Sequence, residues 1–253
     1  MIDGFIYAGT PTTRIQYILV ETEKEFLENQ KTQPIDWEYH NKKIYYCYNR
    51  YGHRSMEIEH LQNDYILASG CSITEGVGLA HEDIWPSVVA KELDRSVYNL
   101  GVGGSGPAVA VRNIITFFTK IKDHPSVIAI QWPEFYRCFR INKDLDIQHL
   151  NSGSAANDEY YRANLKDDTV FYNNIFERKY LLYFLQNIGY KGKIIEFFAN
   201  FSEEARIITD HTKDLCLQTH NFLTPGGPDY ARDLRHPGSK CHKIYAEHVL
   251  SYL

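Results

Sequence analysis

The chain has 253 residues, enough for one large α/β domain with an extension or for two small domains. At 43% hydrophobic and 23% charged it has the balance of a globular protein, and no apolar run approaches the roughly 20 residues that a bilayer-spanning helix needs. A formal charge of -5 with no basic block argues against nucleic acid as a partner.

In chain order, RIQYILVET and KKIYYCYNRYGHRS read as strands rich in aromatic and β-branched residues, and the Lys/Glu-rich stretch between them as a helix. From Tyr65 a regular alternation begins. DYILASG is a short apolar run ending in small residues, as in a buried parallel strand. PSVVAKEL, Pro86 to Leu93, is an amphipathic helix with Pro in its first turn, where the missing N–H costs little. SVYNLG predicts a second strand, PAVAVRNIITFFTKI a second helix and SVIAIQW a third strand. A polar loop, Asn142 to Asp168, precedes the long helix VFYNNIFERKYLLYFLQNIG, for which Gly189 is the expected C-cap. GKIIEFFAN is a fourth strand and HKIYAEHVLSYL a closing helix. Such alternation implies a mostly parallel sheet covered on both faces, with ligands meeting the carboxyl ends of its strands.

Three stretches carry chemistry. In SGCSITEGVG, Ser72 sits just past a strand end, where a hydroxyl is exposed to the N–H groups of the next turn; a serine there also serves simply as a helix cap. In ARDLRHPG, Asp233 and His236 are three apart, so the carboxylate can hold one imidazole nitrogen while the other faces outward. NLGVGGSGP contains G-x-G-x-x-G (Gly101, Gly103, Gly106), which suits either a phosphate cradle or a turn offering N–H groups to a reacting oxygen. The dinucleotide fingerprint normally opens the first βαβ unit, whereas here a complete strand–turn–helix precedes it. It also leaves Ser72, Asp233 and His236 without a role, so the glycines read as an oxyanion turn that brings the Gly104 N–H close to substrate. No cofactor is expected. Nor is a metal: His236, His242 and His248 recur every six residues and scatter around a helix, and His211 and His220 flank Cys216 without a zinc spacing.

These blocks resemble those of the SGNH (GDSL-type) hydrolases. GCSITEGVG is similar to their G-D-S-x-T-x-G block, NLGVGGSG to their second block and DLRHP to their closing D-x-x-H-P block. The likeness spans about residues 45 to 253 and includes NRYGHRS and EDIWPSVVAKEL, as in a branch with an N-terminal extension. It implies a three-layer α/β/α sandwich with a flavodoxin-like sheet, built from an extension over residues 1–60 and a hydrolase-like domain over 61–253. It further implies Ser72 as nucleophile, His236 as general base, Asp233 as its orienting partner, the N–H groups of Ser72 and Gly104 as oxyanion donors, and Asn99 as a shaper of the glycine loop. Two positions depart from the family. Its Asp before the serine is Cys71 here, which raises the alternative of a thiol nucleophile. Its third block, G-x-N, is replaced by IQWPEFYR, so Gln131 or the Trp132 indole N–H stands in as third donor, or the hole has two. Glu134 cannot serve while ionised, and losing such a donor typically costs about 10²–10³ in rate.

The reading preferred is a serine esterase that removes small acyl groups, such as acetyl, from a carbohydrate or similar alcohol. An acyltransferase with the same triad and a non-catalytic module of the same fold remain as alternatives. The expected partner is a small-molecule or glycan ester, with neither nucleic acid nor membrane. The five cysteines (Cys47, Cys71, Cys138, Cys216, Cys241) lie far apart without C-x-x-C, as free thiols in a reducing compartment do. The first twenty residues lack the pattern of a signal peptide, so a cytoplasmic protein is expected, unless a non-classical route or a virus particle carries it out. Arg54 and Arg137 suit contact with an anionic substrate, but the solvated surface is the role expected of each, and Tyr160, Tyr161 and Tyr172 are expected around the rim of a pocket.

Overall fold

Four short apolar runs, buried nearly end to end, pair in parallel to form the centre of the molecule. The computed structural model describes residues 4–18, 21–141, 147–150, 168–198, 223–224 and 227–253. The central strands are β3 (Tyr65–Ser69), β4 (Ser96–Asn99), β5 (Val127–Trp132) and β8 (Lys193–Phe198), in the spatial order β4-β3-β5-β8. All neighbours are parallel, with Ala68 opposite Asn99 and Ala129 on either side and Ala129 opposite Ile195. In order of appearance this is 2-1-3-4, the flavodoxin-like arrangement.

Side chains alternate across the sheet, and each face finds its own helices. Leu67, Tyr98, Ile128, Ile130 and Trp132 pack against α4 (Pro107–Lys120) and α5 (Thr169–Asn187). Ile66, Ala68, Val97, Ala129 and Phe197 pack against α3 (Trp85–Glu92) and α6 (Ser239–Leu250). The result is a three-layer α/β/α sandwich, and each large aliphatic or aromatic side chain fully buried in it contributes about 1.5–3 kcal/mol. Pro86 and Pro107 lie in first helical turns, and Gly189 takes φ +72° just beyond α5, where the Tyr190 N–H closes on the Leu185 carbonyl. One buried ion pair spans two elements: Arg178 on α5 donates to both carboxylate oxygens of Glu196 on β8, at 2.7 and 2.6 Å.

The first sixty residues differ from expectation. Their two predicted strands reduce to β1 (Arg14–Ile15) and β2 (Tyr46–Cys47), which pair with each other and not with the central sheet. Between them α1 (Glu23–Thr32) starts at a capping box made by Thr22 and Glu25. The period-two pattern survives in Ile44, Tyr46 and Tyr48, all buried, but these side chains pack on Leu79, Ile84 and Ala231 in connecting segments. Arg54 is a correction. Expected in solvent, it is 1% exposed and donates to four carbonyls, those of Tyr45, Glu75, Gly76 and Leu79, because the segment folds it underneath the turn that follows β3. Arg137 is half-buried and pairs with Glu134 at 3.0 Å. The polar stretch read as a loop contains part of an antiparallel pair, β6 (Cys138–Ile141) with β7 (Ile147–Leu150). Two more short strands, β9 (Leu223–Thr224) and β10 (Gly227–Pro228), pair near the C-terminus. Among the described residues no helix is long and apolar enough to cross a membrane.

Candidate active site

The site forms where connecting segments leave the carboxyl ends of β3 and β4, beside the point where the strand order reverses. The parallel ladder continues past the strands: the Leu100 N–H donates to Ala68 and the Val102 N–H to Gly70, at 2.8 and 3.1 Å. This draws the glycine loop alongside α2 (Ser72–Glu75), the single turn that begins with Ser72. Asn99 ties the two together, its amide donating to the Thr74 carbonyl at 2.7 Å and its oxygen accepting from the Gly101 N–H at 2.9 Å. Glycine is required at 101, where a β-carbon would stand 2.4 Å from the Glu75 nitrogen. Gly104 has φ +72°, a backbone conformation that a side chain opposes.

Asp233 and His236 arrive from the other end of the chain. Asp233 accepts the Arg235 and His236 backbone N–H groups on Oδ1, at 3.1 and 3.0 Å, and faces His236 Nδ1 with Oδ2 at 2.5 Å. His236 Nε2 lies 2.9 Å from Ser72 Oγ. Burial pushes the Asp233 carboxyl up, but the His236 side chain and the two N–H groups outweigh it and hold the group below its ordinary value. An ionised Asp233 keeps the proton on Nδ1, which leaves Nε2 with a lone pair towards the serine. Asp233 and His236 do not lie on a helix: Leu234 between them has φ +55°, and the segment turns sharply, closed by the Ala231 N–H on the His236 carbonyl at 2.8 Å.

The donors expected for an oxyanion fare unequally. The backbone N–H groups of Ser72 and Gly104 meet no acceptor among the described residues. Trp132 is a correction: its indole N–H donates to Glu196 at 2.9 Å on the α4/α5 side of the sheet, and is spent there. Gln131 turns its carboxamide the other way, where Oε1 accepts from Thr74 Oγ1 at 2.8 Å and from the Trp85 indole at 3.2 Å, supporting the turn behind Ser72. Cys71 is buried among Ile66, Trp85 and Tyr245 on the α3/α6 side, and no hydrogen bond joins it to His236. The Gly103 N–H, which a phosphate cradle would leave free, donates to the Glu75 carboxylate at 2.7 Å. His242 Nδ1 accepts the Trp85 N–H at 2.9 Å and so holds α3 against α6. Tyr172 is exposed on α5, while Tyr160, Tyr161, His211, His220 and Cys216 lie outside the described residues.

Three contributors were missed by sequence reasoning. Glu75 and Tyr48 join the glycine loop through hydrogen bonds, and His149 on β7 comes against Gly104, where a β-carbon would stand 3.8 Å from its own. Burial pushes the His149 imidazole below its ordinary value. Tyr48 and His149 reach the site across the fold, so no residue spacing announced them; Glu75 lies on the Ser72 turn itself, and its place three residues after the serine was the available signal.

No protein-family model matches the sequence, and no curated protein matches it either. Solved structures do match it. A member of the lipolytic G-D-S-L family from Veillonella parvula is 12% identical, with a TM-score of 0.43 over 74% of this chain and 96% of that one. A psychrotrophic esterase from Pseudoalteromonas sp. is 13% identical, with a TM-score of 0.43 over 74% and 95%. An acetyl xylan esterase from the rumen bacterium Butyrivibrio proteoclasticus is 14% identical, with a TM-score of 0.45; it aligns over 75% of this chain, which spans only 63% of that one. Lipolytic G-D-S-L proteins and carbohydrate esterases are among the solved structures that this chain is similar to.

Proposed function

We propose that the protein is a serine esterase of the SGNH type that removes small acyl groups, such as acetyl, from a carbohydrate or similar alcohol. One observation carries the reading: Ser72 Oγ, His236 and Asp233 form a continuous chain of hydrogen bonds, at 2.9 and 2.5 Å, at the carboxyl edge of a parallel sheet. In this reaction His236 Nε2 takes the Ser72 proton as Oγ attacks the ester carbonyl, and Asp233 stabilises the imidazolium that results. The N–H groups of Ser72 and Gly104 receive the developing oxyanion. Collapse expels the alcohol, protonated by His236, and leaves an acyl-Ser72. Water activated by the same imidazole then releases the acid.

The test is a time course with p-nitrophenyl acetate and with an acetylated sugar, comparing the wild type with Ser72→Ala and Cys71→Ala. Loss of turnover in Ser72→Ala alone is expected. A dead Cys71→Ala with an active Ser72→Ala would reassign the nucleophile. Release of free acetate, and not acetyl transfer to an added alcohol, separates hydrolysis from acyl transfer.

A further inference from the structure

Ser72 and Glu75 lie on one turn, three residues apart, and face the same loop. Glu75 is 2% exposed, yet both of its carboxylate oxygens are used. Oε2 accepts the Gly103 N–H at 2.7 Å and Oε1 accepts the Tyr48 hydroxyl at 2.9 Å. The contact is close: a β-carbon at residue 103 would lie 2.8 Å from Oε2 and 3.9 Å from Ser72 Cβ. Burial raises the Glu75 carboxyl above its ordinary value, while the Tyr48 hydroxyl, the charge of Arg54, the Gly103 N–H and the charge of His236 all work against that rise.

The consequence concerns the next peptide. Glycine has no side chain to restrict its dihedrals, so Gly103 and Gly104 have no conformation of their own to prefer. Asn99 fixes the loop at Gly101, two residues upstream. The Gly103 N–H is the last backbone donor before Gly104 that a side chain holds. With that peptide anchored, the Gly104 N–H has a set direction; without it, the turn around the two glycines is closed by the Ser105 N–H on the Val102 carbonyl, a long contact at 3.2 Å, and by no side chain among the described residues. We propose that Glu75 is a positioning residue that aims the Gly104 N–H at the reacting oxygen, and that the N-terminal segment acts on this turn through Tyr48. The proposal rests on the esterase reading above.

Wild type, Glu75→Gln, Glu75→Ala, Tyr48→Phe and Ser72→Ala are compared by kcat and KM on p-nitrophenyl acetate. The rate of inactivation by an alkyl fluorophosphonate, whose phosphoryl oxygen enters the same hole, is measured alongside, and thermal melts check folding. A Ser72→Ala variant that keeps wild-type turnover removes the esterase reading itself, whatever the Glu75 variants do. Given an inactive Ser72→Ala, Glu75→Ala is expected to lower kcat about 10–100-fold, less than outright removal of a donor, with KM within about twofold and inactivation slowed in parallel. Glu75→Gln is expected to stay within about threefold of wild type. Its carboxamide oxygen still accepts from Gly103, and its nitrogen donates to the Tyr48 oxygen. Tyr48→Phe is expected to lower kcat about two- to fivefold, and to add nothing when combined with Glu75→Ala. A folded Glu75→Ala with unchanged kcat overturns the proposal, as does a rise in KM alone or a Glu75→Gln as impaired as the alanine variant. Should Glu75→Ala fail to fold, Glu75→Met, which fills the same space without an acceptor, takes its place under the same criteria; full kcat in Tyr48→Phe overturns the link to the N-terminal segment.

Discussion

Replacing Asp233 by Asn changes one atom and tests the whole relay. In the native turn Asp233 Oδ1 accepts two backbone N–H groups and Oδ2 one imidazole nitrogen. An asparagine must turn its amide group towards one side. Facing it at the two N–H groups sets donor against donor twice and strands two buried groups, at about 1–3 kcal/mol each. The amide therefore faces His236 Nδ1. It donates there, the imidazole proton moves to Nε2, and Nε2–H now points at Ser72 Oγ 2.9 Å away, where a lone pair is needed. The expected loss in kcat is about 10⁴, or about 5 kcal/mol of transition-state stabilisation. Because both backbone hydrogen bonds survive, the melting temperature should hardly move. Initial rates on p-nitrophenyl acetate across pH, with ¹⁵N shifts of His236 to report the tautomer, test both halves of the claim. Asp233→Asn activity within about tenfold of wild type at neutral pH, in a folded protein, would refute the reasoning.

Two further substitutions address stability. Arg54→Met keeps the length of the stem but removes donors from four carbonyls, including Gly76 at 2.6 Å and Leu79 at 2.7 Å. A loss of about 3–5 kcal/mol is expected, lowering the melting temperature by about 8–15 °C, and a shift below about 3 °C would contradict it. His53, fully buried against Phe5 and hydrogen-bonded to Tyr98, is pushed down to about 4 by burial. Since its folded value lies below its unfolded value of about 6.5, the unfolded chain binds more protons between the two. Its contribution is present above about pH 6.5 and is lost as pH falls towards 4, at up to about 1.4 kcal/mol per pH unit. Urea midpoints at several pH values in wild type and His53→Gln should show a shallower acid loss in the variant; equal slopes would place the titration elsewhere.

The central sheet was legible because its strands are buried on both faces and read as short, mostly apolar runs, as in VIAI over Val127–Ile130. The same strand held an unused clue. Trp132 shares its side of the pleat with Ile128 and Ile130, so its indole was bound to face α4 and α5 and not Gln131's side. Ser72, Asp233 and His236 stand out in the sequence by type and spacing, but the turn at Leu234 does not, since no local rule foretells a left-handed leucine. Arg54 was misplaced for a different reason. A surface arginine and one buried among carbonyls have identical neighbours in sequence; what separates them is the course of the backbone around residues 75–79. The N-terminal tyrosines show the converse case, a strand-like pattern whose partners are loops.

Ser72 and His236, the proposed nucleophile and base, sit on separate pieces of backbone, and the 2.9 Å between them measures how well the pieces register. Residues 16–54 hold both. Arg54 grips the carbonyls at the end of the serine's turn, while Glu21 binds Arg232, the residue before Asp233. Tyr46 bridges the two grips, its ring under the Arg54 guanidinium and its hydroxyl shared between Glu21 and the Gly78 N–H. The opening segment of the chain thus works as a splint across the two halves. Substitutions far from the chemistry, at Glu21 or Tyr46, act on the alignment of a serine with its histidine.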